Sequence, residues 1–83
     1  MDDVIKAHEF SSCNYEYLKN DALCGCFYCG KIFNSDEIND WTPEPGGAKT
    51  ALCPYCGIDS VIGNNTGYPI TEEFLEDMRK YWF

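Results

Sequence analysis

The stretch CGCFYCGKIF, residues 24–33, places three of the chain's six cysteines within six positions. A second stretch, CPYCG, occupies residues 53–57. Each contains two cysteines separated by two residues and followed by glycine, and twenty-three residues separate the two pairs. Two residues between ligands let one tight turn direct both sulfurs at a single metal ion, and two such turns complete a tetrahedron. The spacing therefore predicts one metal site formed by Cys26, Cys29, Cys53 and Cys56.

Both pairs have the form C-x-x-C-G, the zinc knuckle of zinc-ribbon and rubredoxin-like domains. Gly30 and Gly57 follow the second cysteine of each pair, where a positive φ tightens the turn and aims backbone N–H groups at sulfur. Pro54 presets φ at the first position of the second turn. We favour one structural zinc ion over iron, although sulfur-only tetrahedra suit both metals.

The remaining cysteines and the single histidine offer weaker patterns. Cys24 would replace Cys26 only through the wider spacing Cys24-x4-Cys29, so a small buried or half-buried thiol is the simpler interpretation. A second metal held by Cys13, Cys24 and His8 has no paired spacing to support it. We expect His8 to be an ordinary surface or packing residue.

The sequence does not favour an enzyme. Four thiolates close a tetrahedral site, whereas catalytic zinc keeps one position open. The only histidine lies in AHEF, so the H-x-E pattern of zinc deaminases is missing, and the chain is too short for a thioredoxin-like βαβ unit. We expect the metal to supply folding energy instead, on the order of 10–16 kcal/mol for structural zinc.

The length of 83 residues predicts one zinc-binding domain, residues 1–83. A chain of this size buries only about 60% of its unfolded surface, so a metal staple makes physical sense. No apolar run approaches the ~20 residues of a membrane helix, and MDDVIKAHEF does not read as a secretory signal. We therefore expect the reducing cytosol, where clustered cysteines bind metal more often than they form disulfides.

The charge balance is acidic, with fourteen Asp and Glu against six Lys and Arg, formally −8. Four thiolates and one Zn²⁺ would move this to about −10. The lysines are scattered and form no basic patch, which disfavours nucleic acid as a partner. The acidity favours a basic protein partner, and an immunity-type inhibitor of a basic toxin would fit this charge.

The elements expected along the chain are short. Residues 1–22 are predicted to be a loose arm, residues 1–10, and a short helix over NYEYLKND that Ser11 or Ser12 caps. Residues 23–62, with the two knuckles, are predicted to contain short strands, one helical turn capped by Ser35, and the loop TPEPGG, whose prolines and glycines exclude regular structure. The strands are predicted over residues 31–33, 50–52 and 58–62.

The best helix is ITEEFLEDMRKYWF, residues 70–83. Thr71 is its expected N-cap, and Ile70 and Leu75 fall at the positions of a hydrophobic staple. An apolar stripe at helical spacing is expected to face the core, and it consists of Phe74, Leu75, Met78, Tyr81 and Trp82.

From Leu23 onward the chain resembles a family of small, uncharacterised bacterial cytoplasmic proteins. The stretches that carry the resemblance are CGCFYCGKIF, TALCPYCGIDSVIG and GYPITEEFLEDMRKYWF. The resemblance implies a bacterial source, a cytosolic location and a zinc-knuckle site on the four predicted cysteines. It supplies no activity, and the first 22 residues share little of it.

We predict a small α+β fold, in which a zinc-ribbon-like antiparallel core lies between a short N-terminal helix and a C-terminal helix. A treble clef is the alternative, but GIDSVIG is too β-branched and short for the helix it needs. The leading function is an acidic protein-binding module, with Tyr28, Tyr55 or Trp41 as candidate anchors. A nucleic-acid-associated or regulatory zinc ribbon, and a thiol redox or metal-transfer protein using Cys24, are the alternatives.

Overall fold

The computed structural model describes residues 2–19 and 22–83. Its helices are α1 (Asp2–Ala7), α2 (Tyr15–Leu18) and α3 (Glu72–Trp82). Its strands are β1 (Leu23–Cys26), β2 (Ile32–Asn34), β3 (Trp41–Pro43), β4 (Lys49–Ala51) and β5 (Val61–Gly63). Turns of 3-10 helix lie at His8–Ser11, Ser35–Glu37, Pro45–Gly47 and Asn64–Thr66. The predicted α+β class is confirmed.

The strands of the described residues form two antiparallel sheets. One has the order β2-β1-β5, with Cys24 of β1 paired with Phe33 on one side and with Gly63 on the other. The second is the hairpin β3-β4, in which Trp41 pairs with Ala51. The first knuckle connects β1 to β2, and the second connects β4 to β5. Since β4 and β5 belong to different sheets, the second knuckle also joins the sheets to each other.

Both faces of the three-stranded sheet are buried. Side chains alternate along a strand, so Val61 packs in one apolar cluster with Cys24 and Cys26, while the next residue, Ile62, packs in another with α1 and α3. Gly25 lies at the centre of β1, under α3. A Cβ atom there would lie 2.7 Å from Cδ1 of Leu75, so glycine is what lets the helix approach the sheet this closely.

Helix α3 begins as the sequence predicts. Thr71 is its N-cap, and the Thr71 hydroxyl accepts a hydrogen bond from the Phe74 amide at 3.1 Å. Leu75 and Met78 are buried with Ile70 in the cluster that α3 shares with the sheet. The far end of the apolar stripe differs from the prediction, because Tyr81 and Trp82 remain 49% and 37% exposed. No helix of the described residues has the length and apolar character to cross a membrane.

This architecture is compatible with the predicted zinc-ribbon-like core. The treble-clef alternative requires a helix starting at the second knuckle. Residues 57–60 are irregular instead, and β5 follows them. The β-branched residues of this segment, Ile58, Val61 and Ile62, favour extended backbone over helix.

The largest difference from the sequence prediction is at the N-terminus, where residues 2–10 are ordered rather than a loose arm. Val4 and Ala7 lie one helical turn apart on α1, and both are buried against α3 and the sheet. The Trp82 indole donates a hydrogen bond to the carbonyl of Val4 at 3.0 Å. The apolar content of this segment was too small for a helical pattern to be recognised, and its burial comes from distant residues.

The predicted serine caps were wrong. Helix α2 covers only Tyr15–Leu18, and its N-cap position is Asn14 rather than Ser11 or Ser12. The end of the predicted helix, residues 20 and 21, lies outside the described residues. At residues 35–37 the cap is Asn34, whose side chain accepts from the Asp36 amide in a capping box with Glu37, while the Ser35 hydroxyl accepts from the Ala22 amide instead.

Strand boundaries shift by a residue or more from their predicted positions. The prediction that prolines and glycines exclude regular structure from residues 42–47 was wrong at Thr42 and Pro43, which pair with β4. Their strand is the edge of a two-stranded sheet, where proline is tolerated. The prediction holds at Gly46 and Gly47, whose positive φ angles make the following turn irregular. The strand predicted over residues 58–62 forms only at Val61–Gly63.

Candidate metal centre

The first knuckle is a tight turn closed by backbone hydrogen bonds. The Gly30 amide donates to the Cys26 carbonyl at 2.8 Å, and the Cys26 amide donates to the Lys31 carbonyl at 3.0 Å. Gly30 has φ of 80°, the left-handed conformation in which only glycine avoids strain. Within the turn, the amides of Tyr28 and Cys29 point at the Cys26 sulfur at 3.4 and 3.5 Å. The local sequence therefore presents Cys26 to a metal with N–H donors already aimed at it.

The second knuckle repeats this geometry twenty-seven positions later. The Gly57 amide donates to the Cys53 carbonyl at 2.9 Å, and the Cys53 amide donates to the Ile58 carbonyl at 3.0 Å. Gly57 also has φ of 80°, and the Tyr55 amide lies 3.4 Å from the Cys53 sulfur. The positive φ predicted after each cysteine pair is confirmed at both glycines.

The four sulfurs lie where a tetrahedral ion would hold them. The Cys26 and Cys56 sulfurs are 3.6 Å apart, as are those of Cys29 and Cys53. All four lie within 4.8 Å of one another. A Zn–S bond of about 2.3 Å places tetrahedral sulfur ligands about 3.8 Å apart. The four cysteines therefore fit one metal ion. Each of the two 3.6 Å distances joins a sulfur of one knuckle to a sulfur of the other.

The site is buried on one side only. Cys26 and Cys53, the first cysteines of the knuckles, are 0% and 3% exposed. Cys29 is exposed and Cys56 is half-buried. Cys26 is the last residue of β1 and Cys53 follows the end of β4, so both lie next to the core. Cys29 and Cys56 lie on the outer part of each turn. An ion at this centre would be anchored from the core and approached by solvent from the Cys29–Cys56 side.

The surroundings of Cys26 favour its thiolate form, the form that binds metal. Burial raises the pKa of this thiol, but hydrogen bonds from the Ser60 hydroxyl and from the Cys29 and Tyr28 amides outweigh burial and hold the pKa below its usual value. Burial raises the pKa of Cys29 and of Cys56. Of these three cysteines, Cys26 is therefore the one whose surroundings favour the metal-binding thiolate.

The other candidate ligands lie elsewhere. The only group of three or more His, Cys, Asp or Glu side chains within metal-binding distance in residues 2–19 and 22–83 is the four-cysteine cluster. Cys24 is fully buried in β1, where burial raises the pKa of its thiol to about 12. Cys13 is exposed, with φ of 52°. His8 stacks on Trp82, with ring centroids 3.9 Å apart, as a packing residue.

Sequence reasoning missed two side chains that organise this centre. Ser60 places its hydroxyl 3.0 Å from the Cys26 sulfur. Asn14 is 1% exposed; its amide group donates to the Val61 carbonyl at 2.9 Å and accepts from the Ala51 amide at 2.9 Å. Asn14 thereby joins β4 to β5, the strands on either side of the second knuckle. No local pattern in NYEYLKND could have predicted this, because its partners are 37 and 47 residues away.

No protein-family model matches the chain, and no curated protein or solved structure is significantly similar to it. The family resemblance described above therefore stays a prediction.

Proposed function

We propose that this protein is a non-catalytic module that holds one structural zinc ion and binds a basic protein partner in the reducing cytosol. The observation that carries the proposal is the closed cluster of four sulfurs within 4.8 Å of one another. Four cysteine thiolates are the donor set of structural zinc sites, and reducing conditions keep them available.

The donor set supports folding rather than catalysis. Catalytic zinc sites combine three protein ligands with a position for water or substrate, and their ligands are usually His or carboxylates. Here each knuckle supplies two sulfurs, four in all, and the chain's one histidine is stacked on Trp82. Zinc bound in this way would supply folding free energy and leave no open position for a substrate.

The acidic surface supports a basic partner. Most acidic side chains of the described residues are exposed, and the ion pairs found there involve only two of them, Glu16 with Lys19 and Glu76 with Lys80. Exposed carboxylates without a cation nearby create a negative potential that accelerates association with positively charged proteins. The exposed acidic residues include two groups. One lies on α3 and consists of Glu72, Glu73, Glu76 and Asp77, and the other follows β2 and consists of Asp36, Glu37 and Asp40.

Five of the six cations, by contrast, are engaged within the protein, and the sixth, Lys6, is exposed on α1, so no cluster of free cations supports nucleic-acid binding. Lys19 and Lys80 are in the ion pairs just described. The three other cations near aromatic rings are Lys31 over Tyr55, Lys49 over Tyr15 and Arg79 over Tyr28, at 5.8, 5.0 and 5.7 Å. Phosphate recognition needs several free cations on one face.

Two tyrosines next to the knuckles are available as anchors for a partner. Tyr28 is 39% exposed and packs edge-on against Phe83, with ring centroids 4.9 Å apart. Tyr55 is 55% exposed, and its hydroxyl donates to a Glu37 carboxylate oxygen at 2.6 Å. Both rings are held in place by the turns that carry the metal ligands. Rigid, exposed tyrosines are frequent hot spots of protein interfaces.

The alternative that uses Cys24 for redox chemistry or metal transfer gains no support. Such a thiol must be accessible and easily ionised. Cys24 is fully buried, and burial raises its pKa to about 12. Its sulfur donates a weak hydrogen bond to the Ala22 carbonyl at 3.6 Å, as a packed core thiol would.

Metal analysis and partner capture test the proposal together. We expect one zinc per chain and capture of basic proteins that is lost at high salt. Replacing Asp36, Glu37 and Asp40 with Asn or Gln tests one acidic group, and the same change at Glu72, Glu73 and Asp77 tests the other. One set should weaken capture while the other serves as its control. A metal-free native protein, or capture unaffected by salt and by both sets, would refute the proposal.

A further inference from the structure

The two knuckles are near copies, so the places where they differ reveal a specialised residue. Ser60 lies four positions after Cys56, and its counterpart after Cys29 is Phe33. Each of these residues reaches over to the opposite knuckle. The Phe33 ring lies 5.8 Å from the Tyr55 ring, whereas the Ser60 hydroxyl lies 3.0 Å from the Cys26 sulfur. The second knuckle thus receives a packing contact from Phe33, and the first receives a hydrogen bond from Ser60.

The backbone fixes Ser60 in this position. The Phe27 amide donates to the Ser60 carbonyl at 3.0 Å. The counterpart of Phe27 in the second knuckle is Pro54, which has no amide proton, so this contact cannot be repeated there. Ser60 is 1% exposed and Cys26 is 0% exposed, so water does not compete for the hydroxyl. A metal-bound thiolate has no proton, and the Ser60 hydroxyl must therefore be the donor.

We infer that Ser60 is a positioning residue for the metal centre, whose hydroxyl hydrogen bond to the Cys26 thiolate makes this sulfur the anchoring and electronically distinct ligand. Together with the Tyr28 and Cys29 amides at 3.4 and 3.5 Å, it gives the Cys26 sulfur three donors. Hydrogen bonds to a ligating sulfur withdraw electron density from it and tune both metal affinity and redox potential. This inference rests on the proposed metal site, and it adds a residue outside the four ligands to that site.

Cobalt substitution tests the inference through the sulfur itself. Removing the hydrogen bond in Ser60→Ala leaves a more electron-rich thiolate, so the sulfur-to-cobalt charge-transfer absorption should shift to longer wavelength. Zinc affinity, measured by competition with a chelator, should fall about tenfold or more. Ser60→Thr keeps the hydroxyl and should keep the absorption near its original wavelength.

Ser11→Ala is the matched control for a buried serine. Ser11 is 4% exposed, and its hydroxyl donates to the His8 carbonyl at 2.7 Å, away from the ligands. This variant should lower stability and leave the cobalt absorption in place. A Ser60→Ala protein with the original absorption and with zinc affinity equal to that of Ser11→Ala would overturn the inference, as would equal shifts in Ser60→Ala and Ser60→Thr.

A measurement on the unaltered protein covers the case in which Ser60→Ala does not fold. Loaded with cadmium-113, the protein should show a slowly exchanging Ser60 hydroxyl proton with scalar coupling to the metal. Absence of that coupling, in a protein that binds one cadmium, would overturn the role of Ser60 and leave the metal site standing. A protein that binds neither cobalt nor cadmium would overturn the proposed function and this inference with it.

Discussion

The two knuckles and the N-terminal segment, residues 2–18, are held by opposite kinds of contact. The turn of each knuckle closes through hydrogen bonds between residues no more than five positions apart, and the contacts of Ser60 with Cys26 and Phe27 add to the first turn from farther along the chain. The N-terminal segment is held by residues far away in the chain: Asn14 bonds to Ala51 and Val61, and Val4 accepts from Trp82, 78 positions later. Local contacts form the two turns that carry the four sulfurs, and distant contacts hold the strands on either side of these turns together.

This difference assigns separate tasks to the two regions. The first knuckle lies within the three-stranded sheet and the second connects that sheet to β4, so a metal ion between them would tie β1 and β2 to the end of β4. Asn14 bridges the same gap without metal, between the Ala51 amide and the Val61 carbonyl. If both bridges contribute, the metal bridge should be the larger by far, since structural zinc supplies on the order of 10–16 kcal/mol.

The largest expected effect is loss of a buried ligand, with a neighbouring cysteine as control. Cys24 and Cys26 are both in β1 and both 0% exposed, but only Cys26 belongs to the four-sulfur cluster. Cys26→Ala should leave no cooperative unfolding transition, because the zinc contribution is comparable with the ~5–15 kcal/mol stability of a typical domain. Cys24→Ala should cost about 1–2 kcal/mol and still bind one zinc. Chemical denaturation followed by circular dichroism distinguishes them, and equal losses would contradict the assignment.

The next effect in size is at the bridge of the N-terminal segment. Asn14→Ala leaves the Ala51 amide and the Val61 carbonyl buried without their partner. We expect a loss of about 3 kcal/mol in the zinc-loaded protein, from ~1–3 kcal/mol for each buried group left unpaired. Asn39→Ala, at an exposed asparagine, is the control and should change the free energy of unfolding little. A change below about 0.5 kcal/mol for Asn14→Ala would show that the segment is dispensable.

A smaller effect tests whether the knuckles are equivalent. Gly30 and Gly57 share φ of 80°, and a Cβ atom would meet nothing within 4 Å at either position. Alanine should therefore cost only backbone strain, about 1–2 kcal/mol, and the same amount at both. Gly67→Ala is the control for backbone strain alone, because Gly67 has φ of 96° and equally open surroundings but belongs to neither knuckle. Unequal costs at Gly30 and Gly57, measured by urea denaturation, would break the symmetry of the knuckles.

The smallest effect on stability is expected at Cys13, which is informative for a different reason. Cys13 is exposed, Cys24 is buried, and the other four cysteines form the metal cluster. Mass spectrometry after iodoacetamide treatment of the zinc-loaded protein should therefore find one alkylated cysteine of six. Cys13→Ser should unfold at nearly the same denaturant concentration and show no alkylation. Alkylation of Cys24 in the native protein would contradict its burial and revive the redox alternative.

The knuckles could be predicted from sequence because their geometry is written within five consecutive residues. Cysteine spacing, the following glycine and the preset φ of Pro54 each have a local physical meaning. Helix α3 was predictable for the same reason, since Thr71 and the spacing of Leu75 and Met78 act within the helix.

The rest depended on partners that local patterns do not contain. Asn14 is the first residue of the predicted helix NYEYLKND, yet its side chain joins two strands instead. Ser60 gives no signal in CGIDS until the fold brings it to the Cys26 sulfur. Gly25 leaves space for Leu75 of α3, a contact that the neighbouring sequence does not indicate. In each case the deciding neighbour is more than ten residues away.

The most direct test of the central claim is a zinc titration of the metal-free, reduced chain, followed by circular dichroism and tryptophan fluorescence. We predict that the chain without zinc lacks cooperative structure, and that native signals appear in proportion to added zinc and saturate at one ion per chain. A metal-free chain that is already cooperatively folded, or a titration that saturates at any other ratio, would contradict the claim that four thiolates around a single ion organise this fold.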